Sequence, residues 1–227
     1  MTLDLTTIVL AIGSLGTAAY GVVDASKGFG GGMSNFGFGD IKKVISSLIP
    51  FRPEDSVSAS ALGRESVLAT LRANWLNGMA LADQKSIAKA LVKLNLTATS
   101  AAGMAAATGV DPALLASVAA KLVTGAALTQ QETDAYGRFD LLLSALLDQG
   151  YQRGDQRYRN SAKLVAIPVA VGLAVLGALA IDGSNFGAAS AGKAVIAGLL
   201  ATPLAPVAKD LSSAIQAGAK VAQAWKK

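Results

Sequence analysis

Apolar residues in this chain are bunched rather than spread. Leu164 to Ile181 reads LVAIPVAVGLAVLGALAI, eighteen apolar or small residues without a charge. After the polar turn Asp182-Gly-Ser-Asn, a second run from Phe186 to Ala208 leads back to a lysine-tipped C-terminus. Eighteen residues at about 1.5 Å each cover roughly 27 Å, close to the ~30 Å hydrocarbon core of a bilayer. The pattern predicts a transmembrane helical hairpin. A third run, Thr6 to Val23, is bracketed by Asp4 and Asp24. No Lys or Arg precedes it, so an uncleaved anchor is expected rather than a signal peptide, whose first region is positive.

The intervening sequence is more polar and mostly helical in period. Lys27 to Asp40 (KGFGGGMSNFGFGD) predicts a flexible loop, because each Gly costs about 1 kcal/mol in a helix interior relative to Ala. Ile41, Val44, Ile45, Leu48 and Ile49 then share one helical face, opposite Lys42, Lys43, Ser46 and Ser47. That suits a short helix lying on a membrane surface or, equally, a turn of core helix. Arg52 to Ser60, with Pro53 and several serines, reads as a linker.

From Leu62 to Asn160 the spacing predicts a bundle of four or five short helices, with Val67, Leu68, Leu71, Trp75 and Leu76 in one stripe and Ile87, Leu91 and Leu94 in another. Asp111-Pro112 is an N-cap with Pro at the first helical position, opening a helix through Leu114, Leu115, Val118 and Leu122. Thr129-x-x-Glu132 is a capping box opening the next, with Phe139, Leu142, Leu143, Leu146 and Leu147 inward. No proline interrupts that helix before Pro168, so it is expected to run into the second span unless Gly150 or Gly154 bends it.

The expected fold is therefore an all-α integral membrane protein with three transmembrane helices. Its segments are an N-terminal transmembrane helix (1–26), a Gly/Phe-rich loop with the amphipathic helix and linker (27–61), a cytoplasmic helical domain (62–160), the hairpin (161–208) and an interfacial amphipathic tail (209–227).

Composition supports lipid contact. Of 227 residues, 52% are hydrophobic and only 15% charged, against about 25% charged in an average soluble protein. With no Cys and no His, thiolate and imidazole chemistry is excluded, including disulfides, zinc-thiolate sites and Ser/His or Cys/His nucleophiles. No cofactor or metal is expected, and no enzyme. The net charge of +5 is explained by the positive-inside rule without a nucleic-acid partner. Fifteen Lys/Arg lie from Asp24 to Lys163 and four from Lys209 onward, while the first five residues and the Asp182 turn have none. The expected orientation in a bacterial inner membrane is N-terminus and turn outside, central domain and C-terminus cytoplasmic.

Several residue groups carry candidate functions. Small residues at helical spacing, Gly13, Thr17 and Gly21, then Ala170, Ala174 and Ala178, then Ala188, Gly192 or Ala194 with Gly198, allow the close backbone approach that packs helices in lipid. They are expected to join spans, within one chain or between copies in a homo-oligomer. Lys193, roughly 10 Å below the outer edge at 1.5 Å per residue, is expected to snorkel outward, with a pore lining or a pair with Asp182 as the alternatives. Arg153, Arg157, Arg159 and Lys163 with Tyr151 and Tyr158 form a basic, aromatic collar suited to lipid head groups, and Trp225 is a further anchor in the tail. The carboxylates offer no catalytic pair: Glu132 is used by its capping box, and Asp134 and Asp140 do not share a helix face. The glycine-rich loop lacks the order of a phosphate-binding loop. These features predict a structural or accessory subunit of a membrane assembly, binding lipid and other subunits, with a homo-oligomeric pore as the alternative.

Overall fold

The structure, a computed structural model, describes residues 4–50 and 63–224, with side chains in the last helix as far as Gln216. Among the described residues all regular structure is helical. The helices are α1 (Leu5–Ala25), α2 (Ser34–Leu48), α3 (Arg64–Leu76), α4 (Leu81–Leu94), α5 (Ala101–Thr108), α6 (Pro112–Thr124), α7 (Gln130–Asp182) and α8 (Ala188–Ala224). Three of them, α1, α7 and α8, are long and apolar enough to cross a membrane. The Arg52–Ser60 linker and Trp225 lie outside the described residues.

The chain divides into two units, one from Met1–Met33 with Arg159–Lys227 and one from Ser34–Tyr158. The helical unit is built on one core, which includes Phe38, Ile41, Ile45 and Leu48 from α2, Val67, Leu71 and Trp75 from α3, Ala88 and Val92 from α4, Met104 from α5, Leu115 from α6, and Phe139, Leu143, Leu147 and Tyr151 from α7.

Its helix ends follow local chemistry. Asp111 accepts from the Leu114 N–H at 2.9 Å. Thr129 and Glu132 bond reciprocally, the Thr129 N–H donating to Glu132 Oε2 at 2.7 Å and the Glu132 N–H to Thr129 Oγ1 at 3.3 Å. Gly109 and Gly125 end α5 and α6 with φ of 69° and 71°, the left-handed region that only a residue without Cβ enters cheaply.

Two expectations are corrected here. First, the glycine-rich segment is helical from Ser34 onward, and α2 lies in the core of this bundle rather than on a membrane surface. Its apolar stripe is covered by protein, so the helical unit begins at residue 34 and not at 62. Second, α4 turns Gln84, Ala88 and Val92 inward, leaving Ile87 and Leu91 only partly buried and Leu94 63% exposed. The expected continuation of the Thr129-capped helix is present: Gly150 and Gly154 do not break α7, which is a single helix of 53 residues.

Both glycines instead admit α2. A β-carbon on Gly154 would stand 2.7 Å from the Gly37 carbonyl oxygen, and one on Gly150 would stand 2.9 Å from Val44 Cγ2. Because Gly37 and Gly154 lack side chains, the backbones of α2 and α7 touch. The helix penalty of Gly37 is offset by that close packing.

In the other unit, α1 meets α8 through small residues. A β-carbon on Gly13 would lie 2.1 Å from Ala208 Cβ, and one on Gly16 2.1 Å from the Ala201 carbonyl oxygen. Leu10, Ser14 and Thr17 line a groove with Ala208 and residues to Gln216, whereas Ala11, Ile12 and Leu15 line another with Ser190, Lys193 and Ala197. The two sides of α1 thus face different stretches of α8. Between α7 and α8 the closest approach is Gly198 on Val171, where a β-carbon would stand 2.4 Å from Val171 Cα.

Candidate membrane-facing groove

Each small-residue ridge is used in part. Gly13 and Gly198 sit in contacts within the chain, and Gly16, absent from the expected α1 ridge, is their equal. Gly21 has no neighbouring atom within 4 Å of its would-be β-carbon. Thr17 is exposed, its hydroxyl donating to the Gly13 carbonyl at 3.1 Å within its own helix. The expected Gly13–Thr17–Gly21 spacing of four is therefore replaced by burial of Gly13, Gly16, Ala19 and Val23, at spacings of three and four. On α7 the fully buried alanines are Ala166 and Ala170, with Ala162 close behind. Ala174 and Ala178 are only partly covered, because both border an open groove.

That groove has a volume of about 750 Å3 and runs between α7 and α8 beside α1. Leu173, Ala174, Gly177, Ala178 and Ile181 supply its α7 wall, and Ala194 and Ala197 its α8 wall. Asp182 and Lys193, the residues of the expected ion pair, both line it. They do not pair with each other, and neither takes part in a salt bridge or side-chain hydrogen bond among the described residues. The expected direct ion pair is thus replaced by two separate charges on one groove.

The basic collar divides. Tyr151 is 1% exposed, with its hydroxyl donating to the Gln84 carbonyl at 3.4 Å, and burial raises its phenol pKa well above the ordinary value. Tyr158 packs edge-on against Trp75 with centroids 6.3 Å apart, and the Trp75 indole donates to the Ser34 carbonyl at 2.9 Å. Arg157 pairs with Asp40 at 3.3 Å. Tyr151 is therefore a core residue rather than a lipid anchor, because its helix turns that face toward α4. Arg153, Arg159 and Lys163 remain exposed.

Charged groups missed by periodicity lie between α4 and α7. Asp140 accepts from Lys89 at 2.6 Å and Lys93 at 3.0 Å, Lys85 pairs with Asp148, and Lys93 also lies 4.9 Å from the Tyr136 ring centroid. The hydrogen bond from Lys89, then that from Lys93, lowers the Asp140 pKa against the opposing effect of burial. Lysines at 85, 89 and 93 recur at the helical spacing of four, but their acids are more than forty positions away in sequence. That distance hid them.

Glu132 collects two further donors. Lys121 and the Ser117 hydroxyl reach it at 2.7 and 2.6 Å, and these, the Lys121 bond first, with the Thr129 N–H, lower its pKa to about 2. It closes α6 onto the start of α7. Its carboxylate is held as an acceptor, which leaves no proton to donate at neutral pH. Among the described residues no group of three or more Asp or Glu side chains is placed to hold a metal.

No protein-family model, curated protein or solved structure matches the chain, so its functional reading rests on these residues.

Proposed function

We propose that this chain is a structural or accessory subunit of a bacterial inner-membrane assembly, with its N-terminus and the Asp182 turn outside and its helical unit and C-terminus cytoplasmic. The observation that carries the reading is the exposure of its most apolar stretch, the C-terminal part of α7. Only 11% of the most apolar window of α7 is buried within the chain, and Leu164, Leu176 and Ile181 are 72%, 63% and 85% exposed. In water that surface would drive association; lipid or neighbouring subunits are its natural cover. A helix of 53 residues spans roughly 80 Å, far more than a bilayer core. Only its uncharged part from Leu164 to Ile181 belongs in lipid.

The role of accessory subunit is supported by how the chain uses its polar groups. Glu132, Asp140 and Asp148 are engaged in joining helices, and the large exposed side chains of the helical unit, Leu122, Val123 and Leu141 among them, offer contacts to a partner. Purification of the full chain in mild detergent followed by mass spectrometry tests this. Reproducible copurification of other membrane subunits is expected. A chain recovered alone as a closed ring that conducts ions in planar bilayers would replace the proposal with a pore.

A further inference from the structure

We infer that the groove between α7 and α8 is a site for one phospholipid with a primary ammonium headgroup, of the phosphatidylethanolamine class. The inference rests on the reading that α7 and α8 cross a bilayer. Asp182 is the last residue of α7, at the polar end of the groove. Lys193 lies five residues into α8 from Ala188, roughly 8 Å deeper at 1.5 Å per residue. Beyond it the walls are apolar, and Leu173 lies nine residues from Asp182 on α7, about 14 Å along the helix.

From surface to depth the groove presents an anion, a cation and then hydrocarbon. A phosphatidylethanolamine presents the complementary series: ammonium outermost, phosphate below it, acyl chains below that. Lys193 is exposed and has no partner among the described residues, so its ammonium is available to the phosphate. The Asp182 carboxylate accepts from the lipid ammonium, and it repels a headgroup that carries only negative charge. The acyl chain lies over Gly177, where a β-carbon would meet nothing within 4 Å, and beside Ala174 and Ala197. Small side chains on both walls make the groove.

The test is native mass spectrometry of the full chain released from vesicles containing equal amounts of phosphatidylethanolamine and phosphatidylglycerol. A phosphatidylethanolamine adduct is expected in preference to phosphatidylglycerol. Lys193→Ala should reduce adducts of both lipids roughly fivefold, the scale of one basic contact to a head group. Asp182→Asn should keep lipid binding but abolish the preference, and Gly177→Leu should displace the lipid by filling the groove. Equal adducts of both lipids on the unaltered chain, or adducts indifferent to Lys193→Ala and Asp182→Asn, overturn the inference. So does a dimer that Gly177→Leu dissociates, since a second copy then fills the groove. Vesicle flotation after alkaline carbonate separates the two levels: a chain that stays with the bilayer without lipid preference refutes only the site, whereas a chain that is stripped off refutes the membrane reading.

Discussion

Gly37 and Gly154 hold α2 and α7 backbone against backbone: a β-carbon on Gly37 would stand 2.5 Å from the Gly154 carbonyl oxygen. A fixed carbonyl cannot move aside as a flexible side chain can. Gly154→Leu or Gly37→Val should therefore separate the helices and destabilise the helical unit by about 2–3 kcal/mol, the usual cost of overpacking. Gly137 is the control, since it lies in α7 with open space around it, and Gly137→Ala should stabilise by up to about 1 kcal/mol through helix propensity. Thermal melting of the full chain in mild detergent, followed by circular dichroism, measures both.

Which parts were legible in the sequence follows from the range of the interaction. The caps at Asp111 and Thr129 were readable because each is completed within three residues. The three long apolar helices were readable because an uninterrupted apolar run needs no partner to be recognised. The role of Gly37 was not, because a glycine-rich segment signals a loop until its partner Gly154 is known. For the same reason Tyr151 read as an interfacial aromatic: its neighbours in sequence are basic, whereas its contacts, including Gln84, come from another helix.

Acid should loosen the helical unit through Glu132 and Asp140. Both carboxylates have pKa values lowered in the folded chain, Glu132 from 4.5 to about 2 and Asp140 in the same direction. Their stabilisation is complete above the unfolded-state pKa and is lost as pH falls through the folded one. The melting temperature should thus decline below about pH 4.5 and continue falling toward pH 2. Glu132→Gln should lower the melting temperature at neutral pH and flatten this acid limb. An unchanged limb would show that Glu132 does not titrate with folding.

The α4–α7 ion pairs predict a small and salt-sensitive coupling. Asp140 and its two lysines are each about one-third exposed, so solvent screens them. Asp140→Asn should cost about 1 kcal/mol, and a double-mutant cycle with Lys89→Met should return a coupling that shrinks in high salt.

Small-residue packing between α1 and α8 predicts a contrast within one helix. Gly16→Leu drives a side chain into the Ala201 carbonyl, whereas Gly21→Leu meets nothing. The first should lower the melting temperature in detergent without changing the oligomeric state, and the second should leave stability nearly unaltered. Light scattering and melting on the same samples decide this. A change in subunit number with Gly16→Leu would mean that the ridge joins copies instead.

The most direct measurement is site-specific labelling, for which the absence of cysteine gives a clean background. Ser184→Cys places a thiol in the turn after Asp182, and Gln131→Cys places one at the exposed start of α7. In intact bacterial cells with permeabilised outer membranes, a membrane-impermeant maleimide should label the first at once and the second only after lysis. Labelling of both thiols before lysis, or of Gln131→Cys alone, would contradict the proposed crossing of α7 and its orientation.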